Sequence, residues 1–140
     1  MNKLIEKVQI SFLLIRIPVG LIFLSEGIQK FLFPNELGVG RFIKIGIPYP
    51  DIMAPFVGIV EIICGTLILI GLLTGLASIP LIVNMLVAIY TTKLPILIEN
   101  GFWNMAHEAR TDFAMLFCLL FILTNSLSTL SKKQKSRGNT

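Results

Sequence analysis

The chain has 140 residues, 54% of them hydrophobic and only 14% charged, with a mean hydropathy of +0.82 and a formal net charge of +4. This composition lies outside the soluble globular range and makes the lipid bilayer the first expected partner. Nucleic acid is excluded, because the basic residues are few and gather at the two ends, Lys3 and Lys7 at one and Lys132, Lys133, Lys135 and Arg137 at the other.

The apolar residues fall into four blocks, at about 10–32, 52–73, 76–93 and 111–130, each close to the roughly 20 residues that cross a hydrocarbon core. The expected fold class is all-α, a four-transmembrane-helix bundle forming a single domain over about 1–131, with a basic polar tail over 132–140. The first block is read as a retained helix rather than a secretory signal. Arg16 interrupts it, and no small-x-small cleavage pattern precedes Glu26 and Lys30.

Helix one is expected to end at Phe33-Pro34, since a proline disfavours the helical conformation of the residue before it. Asn35 to Asp51 follows, rich in glycine and proline, as a structured surface loop whose Phe42, Ile43, Ile45, Ile47 and Tyr49 dip into the interface. Thr74-Gly75 joins helices two and three as an antiparallel hairpin, and Pro80 predicts a kink in helix three. Lys93 to Arg110 returns to polar residues, with Phe102 and Trp103 as interfacial anchors on a short interfacial helix. Helix four then runs into a tail too polar to pack, expected to be disordered. An even number of spans with basic residues at both ends places the two termini in the cytoplasm.

Charged side chains inside a span are costly and are functional candidates by default. Here they are Arg16, Glu26, Lys30, Glu61 and Asp112. Arg16, Gly20, Phe23, Glu26, Gly27 and Lys30 share one helical face, and Ala54, Gly58, Glu61, Gly65 and Ile68 share another, whose glycines allow a second helix to approach closely. Helix three adds Ala77, Pro80, Asn84, Ala88 and Thr91, and the start of helix four adds Arg110 and Asp112 with His107 just before them. By helical rise, Glu61 and Glu26 lie about 13 Å and about 9 Å from the loop-side ends of their helices, within reach of one pocket.

Two readings of these charges stay open. In one, Glu26 pairs with Lys30, Arg16 or Lys30 neutralises Glu61, and the cluster only sets helix register. In the other, Arg16, Glu26, Lys30, Glu61, Asn84, His107, Arg110 and Asp112 surround a polar intramembrane pocket that takes a small polar head group with a lipophilic tail, such as a quinone. His107 alone reads more readily as a solvated residue than as a ligand, and no metal site is expected. Cys64 and Cys118 read as small buried residues. The sequence contains no P-loop, nucleophile elbow, paired-cysteine motif or dinucleotide fingerprint. No intrinsic cofactor is therefore expected, and redox chemistry would need an external cofactor or a partner protein.

The motifs Arg16-x3-Gly20-x2-Phe23-x3-Gly27-x2-Lys30, Gly46-Ile47-Pro48-x-Pro50, Gly58-x2-Glu61-x3-Gly65 and Gly71-Leu72-Leu73-Thr74, with Asn84, Ala88 and the stretch from Gly101 to Phe113, together resemble the DoxX family. The resemblance implies a four-helix protein of the bacterial inner membrane, related to the small membrane subunit of thiosulfate:quinone oxidoreductase. It further implies a redox-accessory role with a quinone and a redox partner, and assigns no catalytic residue. The end of helix four departs from the family's glycine-rich turn, with Thr124-Asn125-Ser126-Leu127-Ser128-Thr129 in its place. A membrane scaffold or assembly protein is the first alternative. A small-solute transporter is the second, and with four helices it would require a homo-oligomer.

Overall fold

The computed structural model describes residues 2–138. It contains α1 (Asn2–Leu32), a short α2 (Val39–Lys44), α3 (Pro50–Ile70), α4 (Thr74–Ala88), a π-helical turn (Ile89–Lys93), α5 (Leu94–Asn100) and α6 (Phe102–Arg137). Among the described residues there is no strand. Four stretches are long and apolar enough to cross a membrane: α1, α3, the run from Thr74 to Asn100, and α6. They form an all-α bundle in which α1 packs most extensively on α3 and α4 on α6.

The buried core is small for so apolar a chain. It consists of Val19, Phe23, Cys64, Ile68, Ala77, Leu81, Met85, Met115, Leu119 and Ile122. Most other large apolar side chains, such as Leu14, Leu21, Ile59, Ile63, Val83 and Phe117, point outward. On a water-soluble monomer such a surface would be an aggregation site. Around four membrane-length helices it is the face that contacts lipid.

The α1/α3 seam is built on glycine. A Cβ placed on Gly20 would stand 2.9 Å from the carbonyl oxygen of Gly65, and one on Gly27 2.7 Å from that of Gly58. Each pair is separated by one seven-residue step on both antiparallel helices, so the two backbones touch twice. Without a hydrophobic drive between helices in lipid, such close backbone packing is a main source of association.

Several boundaries differ from the sequence expectation. The hairpin turn is Gly71–Leu73 rather than Thr74-Gly75, which form the first turn of α4. Gly71 adopts φ 82°, and Leu72 N–H reaches the Leu67 carbonyl at 2.9 Å, a Schellman ending that closes α3 at Ile70. The loop after helix one contains α2. Helix continues unbroken through Pro80, and the irregularity in this span lies ten residues later, in the π turn. There the hydroxyls of Thr91 and Thr92 bond to the Val87 and Ala88 carbonyls at 2.8 and 2.6 Å, drawing those acceptors away from the regular ladder. Pro95, which has no N–H to offer Thr91, follows at once.

α6 begins at Phe102 and, at 36 residues, is about 54 Å long. Of the stretch Lys93 to Arg110, Leu94–Asn100 is thus α5 and the residues from Phe102 are the first turns of α6, and the tail expected to be disordered is helical as far as Arg137. Such a helix outruns a hydrocarbon core of about 30 Å and carries its basic end into water.

Candidate functional site

Glu61 is the most deeply buried charged side chain in the bundle. It lies on the glycine-lined face of α3, between Gly58 and Gly65, where α1 comes close enough to exclude lipid. Lys30 Nζ donates to Glu61 Oε2 at 2.7 Å, and Asn84 Nδ2 on α4 donates to Oε1 at 2.7 Å. Both carboxylate oxygens are therefore satisfied, by one cation and one neutral amide from two different helices. A charge buried in this way is tolerable only because it is paired and hydrogen-bonded.

These three residues line a cavity of about 250 Å³ at the end of the bundle where α2 lies. Glu26, Thr91, Thr92, Thr111 and Asp112 also face it, and Arg41 and Phe42 of α2 stand at its side. Its apolar walls include Phe23, Val57, Met85 and Met115. Asp112 is held by Lys93 Nζ at 3.1 Å. The side chains of Glu26 and Arg41 make no hydrogen bond or ion pair with another described residue. The cavity thus combines two paired carboxylates with one unpaired carboxylate and one unpaired guanidinium.

Of the residues singled out from the sequence, Glu26, Lys30, Glu61, Asn84 and Asp112 come together around this cavity. The other three do not. Arg16 lies toward the opposite end, where its guanidinium packs against Gly71 at the C-terminus of α3 and 5.8 Å over the Phe12 ring, while its buried Nε has no hydrogen-bond partner among the described residues. Its neighbour is the negative end of a helix dipole rather than Glu61. His107 and Arg110 are exposed on the first turns of α6, where Arg110 Nη1 donates to the His107 carbonyl at 2.7 Å. Nor does Lys30 pair with Glu26 four residues away, because it spans the seam to Glu61.

The DoxX family profile matches residues 11–94, which include α1 from residue 11 onward, α2, α3, α4 and the π turn. The chain belongs to the DoxX family. It is 54% identical over 119 residues to an uncharacterized membrane protein of Mycobacterium tuberculosis, Rv3486, an alignment covering 81% of this chain and 73% of that one. It is 35% identical over 94 residues to CatD of Bacillus subtilis, which carries the provisional name of an oxidoreductase, with 67% of this chain and 66% of that one aligned. No solved structure matches the chain.

In this DoxX protein the matched region holds every cavity residue contributed by α1, α2, α3 and α4, whereas Thr111, Asp112 and Met115 lie beyond it. Two charged groups at or beside the cavity escape sequence reasoning. Arg41 belongs to a six-residue helix flanked by glycines, too short to show a periodicity. Lys93 marks a span boundary by composition, and only the π turn reveals that it is turned toward Asp112.

Proposed function

We propose that this DoxX protein is a redox-accessory subunit of the bacterial plasma membrane that holds the head group of a quinone in the cavity around Glu26, Lys30, Glu61, Asn84 and Asp112. The observation that carries this reading is the cavity itself, a polar chamber with apolar walls set inside a membrane bundle. Lys30 and Asn84 each spend one N–H on Glu61 and keep others for a quinone carbonyl. Reduction of a quinone to a quinol consumes electrons and protons in equal number. Glu26 and Glu61 supply carboxylates for the protons, and a partner protein carries the electrons. The provisional naming of the Bacillus subtilis relative points the same way. The basic ends of α1 and α6 favour cytoplasmic termini, which would put the cavity in the outer half of the membrane.

The test is to purify the protein from its native membrane in mild detergent and identify retained small molecules by mass spectrometry. A quinone present near stoichiometry in the wild type and lost from folded Glu26→Gln and Glu61→Gln supports the reading. An empty wild-type protein argues for a scaffold instead and directs attention to its protein partners.

A further inference from the structure

A second cavity, of about 270 Å³, lies beside the first. It is a groove lined by Leu86, Ile89, Tyr90, Leu94, Leu97 and Phe113, with Lys93 as its one charged residue. Apart from the partly buried Ile89, those six are exposed, so the groove opens toward lipid. The two cavities share a wall. Lys93 lines the groove, Asp112 lines the polar chamber, and their ion pair at 3.1 Å joins the two. The π turn makes the division, since Thr91 and Thr92 face the chamber while Tyr90 and Lys93 face the groove. An irregularity of this kind inside a helix frequently accompanies a functional site.

A polar chamber and an apolar groove that meet at one ion pair match a single molecule with a polar head and a hydrocarbon chain. We propose that the groove between the α4–α5 run and α6 holds the isoprenoid chain of the quinone whose head occupies the chamber, with the junction of head and chain passing beside Lys93 and Asp112. This inference rests on the quinone reading above. It makes Leu86, Leu97 and Phe113 determinants of chain recognition, and it makes entry lateral, from the bilayer between α4 and α6.

The experiment measures binding to the detergent-purified protein, corrected for partition into empty micelles, of a benzoquinone bearing a short isoprenoid chain and of the same ring without the chain. The wild type is expected to bind the chain-bearing form at least tenfold more tightly. Leu97→Trp, which fills the groove from its exposed side, should remove that advantage while leaving the chainless ring bound as before, and unchanged ring binding also reports that the variant is folded. Leu86→Trp at the other end of the groove repeats the test should Leu97→Trp fail to fold. If the chain adds nothing in the wild type, or if the filled groove weakens both ligands alike, the groove assignment is overturned and the head-group chamber stands. If neither ligand binds the wild type, the quinone reading falls, and this inference with it.

Discussion

Lys30 Nζ lies 2.7 Å from Glu61 Oε2, although the two residues are not level in the bundle. The register set by Gly20 against Gly65 and Gly27 against Gly58 places Glu61 opposite about Leu24 of α1, six residues and about 9 Å short of Lys30. The lysine stem and the glutamate side chain cover that distance between them along the seam, the lysine burying its methylenes and delivering its ammonium to the carboxylate. The side chains are only 11% and 4% exposed, so both charges are largely withdrawn from water and depend on each other.

Removing one partner of such a pair strands the other. Lys30→Met is expected to destabilise the protein by about 3–5 kcal/mol, read as a lowered unfolding midpoint in detergent. Lys30→Met combined with Glu61→Leu should recover most of that loss, since an apolar pair of similar volume often replaces a buried ion pair at little cost. If the double variant is as unstable as the single one, the pair is not a discrete unit and other contacts carry the seam.

The glycine seam makes its own prediction. Gly65→Val would drive a side chain into the α1 backbone around Gly20 and Leu24, an overpacking expected to cost about 1–3 kcal/mol or more. Gly138→Ala, with nothing among the described residues nearer than 3.7 Å, is the neutral control. Unfolding midpoints of the two variants, measured in the same detergent, should separate clearly. Equal midpoints would mean that α1 and α3 are held by something other than close backbone contact.

Much of this arrangement is legible in the sequence, for physical reasons that differ by element. On α3 the face Ala54, Gly58, Glu61, Gly65 and Ile68 is wholly buried as the helical projection requires, because a regular helix leaves no freedom in which residues share a side. The same projection works less well on α1. There the packed face is centred on Val19, Gly20, Phe23 and Gly27, while Glu26 sits at its edge and lines the cavity from an exposed position. Depth in the bundle is what a projection lacks. Arg16 shares a face with Lys30 yet lies fourteen residues away, about 21 Å by helical rise, and so meets Gly71 instead of Glu61. The π turn is signalled only by Thr91, Thr92 and Pro95 in close succession, a local backbone cue that hydropathy does not carry.

Arg16 should therefore behave as a structural residue. Arg16→Met is expected to lower stability by about 0.3–1 kcal/mol, through loss of a cation at the C-terminus of α3. Ligand retention in the native-membrane extraction should match the wild type. A folded Arg16→Met protein that loses the ligand would show that the two ends of the bundle are coupled.

Topology can be settled by labelling. Cys64 and Cys118 lie within the bundle, so a low background is expected for a membrane-impermeant maleimide. With cytoplasmic termini, Glu108→Cys on the exposed start of α6 should label in intact cells. Ser136→Cys near its basic end should label only after the membrane is opened. The reverse pattern would move the cavity to the inner half of the membrane.

Asn84 offers the cleanest separation of binding from folding. It donates one hydrogen bond, at 2.7 Å, to a carboxylate that Lys30 already neutralises. Asn84→Ala should cost about 1.5–3 kcal/mol in stability, the range for a bond to a charged group, less than the loss predicted for Lys30→Met. Its effect on the chamber should be larger in proportion. Without the amide, Glu61 Oε1 turns an unsatisfied acceptor toward the space where a quinone carbonyl would sit, and two acceptors facing each other repel. Retention of the chainless benzoquinone is thus expected to fall at least tenfold in Asn84→Ala, with Lys30 and Glu61 both intact. If ring binding is unchanged while stability drops, Asn84 serves only to fix Glu61, and the head group must be sought nearer Glu26 and Arg41.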